Sequence, residues 1–372
     1  MKNVKKSLLS LTLCLLTVGL SLSLLESCDS PQKAVVMKSA NVPQDYSRPL
    51  SFQDAKDSFR IAFYNVENLF DTIDEPNKID SEYMPNSSLK WNTQRYFAKQ
   101  KNLTKVIEAM NFPIIMGMAE VENRRVLEDL VAQPALKSKN YGIAHFDSPD
   151  ERGIDVAMIY QKGAFEVKRQ KAHAIKFPTF SDKTRDILEV TGILRGGIDL
   201  TVFVNHFPSR RGGADESEPK RIYVASVLRK AVDSLFQKDP NAHIVIMGDF
   251  NDEPSNMSLN KTLGAVEWQR ELAKELPSNA LYNLGAAIER RGEGTEYYKG
   301  WDVLDQIIVS GSLLDSRSKV TTRDEETVFN ADLVIFKDKA GNRLPNRTYT
   351  GPIYRGGFSD HFPVYIPIYL RF

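Results

Sequence analysis

The sequence predicts a layered α/β fold. Three observations support this. Short apolar runs of strand length recur along the chain, several are apolar on both faces, and segments of helical periodicity lie between them. Strands buried on both faces need a cover on each side, which the intervening helices supply. Composition agrees: 372 residues, 42% hydrophobic and 26% charged, with 21 Gly and two Cys. That excludes disorder for the bulk of the chain, a collagen-like repeat and a disulfide scaffold. The formal net charge of +1 gives no global basic field, so any site for a polyanion must be local.

In chain order, residues 1–27 read as a signal peptide, with a basic start at Lys2, Lys5 and Lys6 and an uncharged run over 7–25. Leu25-Glu26-Ser27-Cys28 resembles a bacterial lipobox, whose cysteine becomes the lipidated first residue. The only other cysteine, Cys14, lies inside the signal, so residues 29–372 contain none. The expectation is an exported, cell-envelope lipoprotein, membrane-anchored through Cys28. Residues 28–57 are polar, proline-containing and aperiodic, and read as a tether. The catalytic domain is expected over 58–372, with a monomer assumed.

Ile61–Tyr64 reads as a buried strand, 71–92 as an acidic surface loop, and 93–110 as a helix with Phe97, Leu103, Val106, Ile107 and Met110 on one face. Strands follow at 114–118, 156–160 and 200–204. A long helix spans 217–237, with Ile222, Ala225, Leu228, Val232 and Leu235 on one face. Further strands cover 243–247, 303–309 and 363–370. No Gly-x-Gly-x-x-Gly or Walker loop is present, so a nucleotide cofactor is not supported.

Polar residues gather where these strands end: Asn65 and Glu67, Glu120, Asn205 and His206, Asp249 and Asn251, Asp302 and Asp305, and Ser359-Asp360-His361. Ligand sites in α/β folds collect at strand ends. Glu120 and Asp360 are hard oxygen ligands suited to Mg²⁺ or Mn²⁺. His361 and His206 suit a base, an acid or a phosphate donor near neutral pH. A divalent ion would neutralise phosphate, and a His–Asp pair would activate water, which is the chemistry of phosphoester hydrolysis. Singly, each residue also reads as a turn or cap residue. Six such positions in one chain are harder to explain that way.

These motifs resemble the endonuclease/exonuclease/phosphatase superfamily. The resemblance rests on Tyr64-Asn65-Val66-Glu67-Asn68, Ala119-Glu120-Val121, Asn205-His206, Gly248-Asp249-Phe250-Asn251, Leu304-Asp305-Gln306 and Ser359-Asp360-His361, and covers roughly residues 58–370. It implies a four-layer α/β sandwich of the deoxyribonuclease I type, two packed mixed sheets flanked by helices. It also implies one-step, in-line attack by water. His361 would be the base, oriented by Asp305. Glu120 and Asp360 would hold the metal, assisted by Asn65 and Glu67. His206 and Asn251 would stabilise the phosphoryl oxygens, and Asp249 would orient water or act on the leaving oxygen. Family members are assigned different bases, so the division between Asp249 and His361 stays open.

Substrate signals are thinner. Arg210 and Arg211, in a Gly-rich loop after His206, suit a second phosphate or simply a solvated loop, and Lys220 and Arg221 lie just beyond. Trp301 suits stacking on a base or sugar, or packing. Asp155 reads as a cleft residue or as a partner for Arg152 or Arg185. Glu122 is read as structural, and His145, His173 and His243 as non-catalytic. Three functions fit: an exported nuclease acting on nucleic acid; a phosphatase or phosphodiesterase acting on lipid head groups, inositol phosphates or other small phosphoesters; and a non-catalytic surface-binding lipoprotein.

Overall fold

The computed structural model describes residues 58–269, 277–322 and 325–371. The expected signal peptide, Cys28 and tether lie outside the described residues. The chain opens with β1 (Ser58–Leu69), helix α1 (Thr93–Ala109), β2 (Ile115–Val121), the short helices α2 (Arg124–Val131) and α3 (Pro134–Lys137), β3 (Tyr141–His145) and β4 (Asp155–Gln161). It crosses to β5 (Phe165–His173), β6 (Ile187–Leu194) and β7 (Ile198–His206), then α4 (Ala214–Lys238), β8 (Ile244–Asp249), β9 (Ala265–Glu267), β10 (Leu281–Asn283) and α5 (Ala286–Arg290). The last part holds β11 (Glu296–Tyr297), β12 (Trp301–Asp302), β13 (Asp305–Ser310), β14 (Val320–Thr321), β15 (Thr327–Val328), β16 (Ile335–Lys337), β17 (Arg343–Pro345), β18 (Tyr349–Thr350), β19 (Ile353–Tyr354) and β20 (Val364–Leu370).

Two mixed sheets result. One runs β14-β20-β1-β2-β4-β3, with β15 also on β20, and the other runs β5-β6-β7-β8-β13-β10-β9. The alternation of side chains along each strand produces the four layers. From β1, Ile61 and Phe63 point between the sheets, where they meet Val202, Val245, Met247 and Ile307. Ala62 and Tyr64 point the other way, onto Leu103, Val106 and Ile107 of α1 and Leu127 of α2. Phe203, Ile244, Ile246 and Ile308 leave the second sheet outward, onto Val224, Leu228 and Val232 of α4. This is the sandwich the resemblance implied. Gly117 is required where the sheets pack: a Cβ there would sit 2.6 Å from Met247 Sδ. Among the described residues, no helix is long and apolar enough to cross a membrane.

Three expectations need correction. Phe97 is 49% exposed, and Tyr96 takes its place on the buried stripe of α1. Leu103 sits seven positions, about two turns, after Tyr96, so the period favours 96 over 97. Helix α4 begins at Ala214, three residues early, with Asp215 and Glu216 in its first turn, where carboxylates favour the helix N-terminus. The 71–92 segment is not all surface: Phe70 and Tyr83 stack at 4.1 Å, and the buried Trp91 donates Nε1–H to the Phe70 carbonyl.

Candidate active site

The ends of β7, β8 and β13 carry three site residues in one lateral row. His206 is in register with Asp249, and Asp249 with Asp305. Neighbouring strands lie about 4.8 Å apart, so side chains on one face of such a row are within reach of each other. Gly248 permits the approach, since a Cβ there would sit 2.5 Å from the Asn205 carbonyl oxygen. The other sheet contributes from bulged strand ends. Register shifts between Asn65 and Leu69 on β1 and between Ala119 and Val121 on β2. Glu67, Glu120 and Asn251 all take left-handed backbone conformations, at φ 51°, 63° and 50°. Non-glycine residues held there are strained, and such strain clusters at functional sites.

The two sheets meet at Asp249. Its Oδ2 accepts Asn65 Nδ2–H at 3.0 Å and lies 3.5 Å from His206 Nε2 and 4.0 Å from His361 Nε2. Its Oδ1 accepts the Asn251 backbone N–H at 3.0 Å. His361 Nδ1 lies 2.7 Å from Asp305 Oδ2, and Asp305 is fully buried. The loop before β20 is fixed by Ser359, whose hydroxyl donates to the Asn65 carbonyl and accepts the His361 N–H. Thr295 Oγ1 holds Asp305 by accepting its backbone N–H. Thus His361, Asp305, Asp249, Asn65 and His206 converge, with Asn251 braced against Asp249.

The electrostatics follow from burial and neighbours. Burial by itself would depress His361, but the Asp305 carboxylate, seconded by Asp249 and Glu296, holds it well above the usual imidazole range. Burial drives His206 well below that range, helped by Arg185 and Arg152, so its ring is neutral. Burial pushes Asp249 up to about 7 against the pull of His361, and pushes Glu67 up to about 7, with Asp360 adding to it. Burial also opposes ionisation of Asp360, but His361 and Arg347 hold it below the usual carboxylate range.

Glu120 Oε2 accepts the Asn68 N–H at 2.9 Å, and Arg152 reaches Oε1 at 3.4 Å. Asp360 is paired with Arg347 at 2.6 Å. Glu67 turns toward the Thr348 N–H, at 2.6 Å, and the buried Lys99, at 3.9 Å. Three donor groups close to within 4.8 Å among the described residues: Asp249–Asp305–His361 and Glu296–Asp360–His361 here, and His145–Asp147–Asp155 apart from them; none includes Glu120. The donor set fits a hard divalent cation, since carboxylate and amide oxygens predominate among Asn65, Glu67, Glu120 and Asp360.

Other expected residues face elsewhere. Arg210 is turned inward, donating to the Asn251 carbonyl at 2.8 Å, to Asn256 and to Asp302, and lying 3.8 Å from Asp252. Arg221 is buried on Asp252 at 2.7 Å, and Lys220 pairs with Asp182. Arg211 is exposed and has no ion-pair partner among the described residues. Trp301 is half-buried, stacked on Phe362 at 5.8 Å and edge-on to Tyr297 at 5.2 Å. Asp155 pairs with neither arginine. It binds His145 at 3.0 Å and the Ser148 N–H, while Arg185 goes to Asp150 and Arg152 to Asn68 and Glu120. Glu122 is buried, holds the Asp71 N–H, and is pushed by burial up to about 8.

Sequence reasoning missed Glu296, Arg347 and Lys99. Glu296 makes an isolated bridge with His361, and burial raises its carboxyl. Nothing in its two-residue strand marks it. Lys99 had a readable signal, a lysine on the apolar stripe of α1 beside Tyr96 and Leu103.

The endonuclease/exonuclease/phosphatase family model matches residues 60–370. No curated protein matches. Three solved structures share the architecture. The catalytic domain of human nocturnin with bound sulfate is 16% identical, covering 85% of this chain and 95% of that one, with a TM-score of 0.51. D. rerio TDP2 complexed with a single-strand DNA product is 13% identical, covering 84% and 98%, with a TM-score of 0.50. A mannosyl-6-phosphatase of Bacteroides thetaiotaomicron is 14% identical, covering 83% and 99%, with a TM-score of 0.50. With the family model spanning nearly all of the described residues, the chain belongs to the endonuclease/exonuclease/phosphatase family.

Proposed function

We propose that the protein is an exported, Mg²⁺- or Mn²⁺-dependent phosphoester hydrolase that cleaves phosphodiester bonds in nucleic acid. The observation that carries this reading is the convergence of the His361–Asp305 pair with Asp249, Asn65 and His206 at the facing ends of two sheets. Glu120 and Asp360, with Asn65 and Glu67 beside them, would hold the cation, which supplies charge neutralisation at the phosphate.

The chain's own residues do the rest. With its ring unprotonated at Nε2, His361 takes a proton from the attacking water as the phosphorus–oxygen bond to the leaving group breaks, while Asp305 keeps the other ring proton on Nδ1 and stabilises the imidazolium. The 4.0 Å gap between His361 Nε2 and Asp249 Oδ2 leaves Asp249 placed to orient that water. His206, neutral and with Nδ1 lacking a partner, directs Nε2 toward the reacting centre. Asn251, braced by the Phe207 carbonyl, lies alongside it for the phosphoryl oxygens.

A second reading, hydrolysis of a small phosphoester, is favoured by one observation: Arg210 is spent on protein acceptors, which leaves Arg211 as the exposed cation of that loop. Two relatives are described by a single-strand DNA product and by mannosyl-6-phosphate chemistry, so both substrate types occur on this architecture.

The test is incubation of residues 29–372 with supercoiled plasmid in Mg²⁺ or EDTA, beside His361→Ala. Nicking that needs both metal and His361 supports the nuclease. Folded protein that leaves plasmid intact but releases phosphate from small esters moves the substrate to the second reading. Export and lipidation rest on residues 1–28 alone. Palmitate labelling that disappears in Cys28→Ala supports the anchor, and equal labelling in both removes it.

A further inference from the structure

A cavity of about 240 Å³ opens beside Asp360, walled by Tyr297, Phe336, Leu344, Arg347 and Arg355. The residues come from the β11 strand and from two short hairpins, β16–β17 and β18–β19, which lie outside both large sheets. We propose that this cavity is a subsite for a single nucleobase, holding the base of a nucleotide whose phosphate lies at the Asp360–His361 end.

Four observations carry this. First, the cavity touches the candidate site directly. Arg347 lines it and pairs with Asp360 at 2.6 Å, and Glu296, next to Tyr297, bridges to His361. The cavity therefore adjoins the place of a phosphate at His361, with a ribose left to span between base and phosphate.

Second, the walls are aromatic and open. Phe336 is 49% and Tyr297 39% exposed, unusual for large rings on a hairpin unless something covers them. Tyr297 is held in place by its edge contact to Trp301, itself stacked on Phe362 next to His361. The exposed stacking position is thus Tyr297, with Trp301 behind it as support.

Third, the Arg355 guanidinium has no carboxylate partner among the described residues and donates to Thr350 Oγ1, at 3.3 Å. A free planar guanidinium beside aromatic rings suits stacking on a base and contact with its carbonyl oxygens.

Fourth, the size admits one ring system. Pockets for drug-sized ligands run roughly 300–1,000 Å³, so this cavity takes a base and not a longer run of polymer. Two guanidinium groups in so small a space disfavour an acyl chain.

The inference deepens the proposed function and rests on it for the position of the phosphate. Its test is nevertheless a binding measurement. Calorimetric titration of residues 29–372 in EDTA would compare adenosine 5′-monophosphate, ribose 5-phosphate and decyl phosphate. Base–aromatic stacking predicts that the nucleotide binds about tenfold or more tightly than ribose 5-phosphate. Tyr297→Ala should bring that ratio to within about threefold of one, and Tyr297→Leu, which keeps apolar bulk at the same exposed position, should lose most of it too.

Equal affinity of the nucleotide and ribose 5-phosphate in the wild type would overturn the subsite, as would an unchanged ratio in both variants. Tighter binding of decyl phosphate than of the nucleotide would overturn it in favour of a lipid tail. A separate assay with 4-nitrophenyl phosphate and bis(4-nitrophenyl) phosphate in Mg²⁺ reads the hydrolase proposal alone. Inert protein that still prefers the nucleotide would end that proposal and leave the subsite supported.

Discussion

Asp305→Asn perturbs the candidate site where its geometry is tightest. Asp305 is fully buried, its Oδ2 lies 2.7 Å from His361 Nδ1, and its Oδ1 has no partner. Asparagine keeps the volume and removes the charge. At an effective dielectric of about 20, unit charges at that separation interact by roughly 6 kcal/mol, which bounds what an imidazolium would lose. Asp249, 4.0 Å from Nε2, retains part of the stabilisation. The amide has two orientations, and both are unfavourable. If its Nδ2–H donates to Nδ1, the ring proton moves to Nε2, the atom that must accept the water's proton. If its Oδ1 accepts from Nδ1–H, an NH₂ group fills the position now held by the partnerless oxygen, costing about 1–3 kcal/mol as a buried unsatisfied donor. Together these place the loss in kcat/KM at roughly 10³–10⁴-fold, or about 4–5.5 kcal/mol.

The assay is initial-rate hydrolysis of bis(4-nitrophenyl) phosphate in Mg²⁺ by wild type, Asp305→Asn, His361→Ala and the double variant. Asp305 acts through His361, so the double variant should be no slower than His361→Ala by more than about threefold. Thermal unfolding should shift by only a few degrees, roughly, because the substitution is isosteric. A loss under about tenfold in Asp305→Asn, or fully additive losses in the double variant, would refute the dyad.

The other expected outcomes address different parts of the site. Glu120→Ala should raise the Mg²⁺ concentration for half-maximal rate by about tenfold or more, since a hard ligand is lost; an unchanged Mg²⁺ titration removes it from the metal set. Arg210→Ala frees the Asn251 carbonyl and Asn256, so it should cost about 1–3 kcal/mol in urea unfolding and slow plasmid and small-ester hydrolysis in parallel. A loss confined to plasmid would return Arg210 to substrate binding.

Glu326 is buried and accepts the Ile307 N–H, and burial raises its carboxyl well above the ordinary value. The folded state therefore holds its proton more tightly than the unfolded one, and this group's contribution is full below the ordinary carboxylate range and is lost as pH rises. Glu326→Gln should reduce the fall in unfolding free energy between pH 5 and pH 8 by about 1 kcal/mol or more. An identical fall in both proteins would show that Glu326 is not protonated in the fold.

Legibility divides along a physical line. The positions of His206, Asp249 and Asp305 were readable because the first two end apolar runs and the third opens one, and strand pairing then sets them side by side. The partners of those groups were not, because partners are fixed by register and by loops with no period. Asp155 meets His145 because hairpin pairing of β3 with β4 brings His145 opposite Ala157, two residues from Asp155, whereas the nearer Arg152 turns toward Glu120.

The same holds for Arg210. An arginine in a Gly-rich loop has one sequence signature whether it faces solvent or takes a carbonyl, and here Asn251, at φ 50°, presents its carbonyl inward. Arg347 is the strongest case. It reaches Asp360 across thirteen residues, past the β18–β19 hairpin, whose strands are only two residues long. Strands that short carry no alternation to read. They also build the cavity wall, so the part of the site that selects a substrate is the part the periodic signal leaves out, while the periodic strands place the groups that act on phosphate.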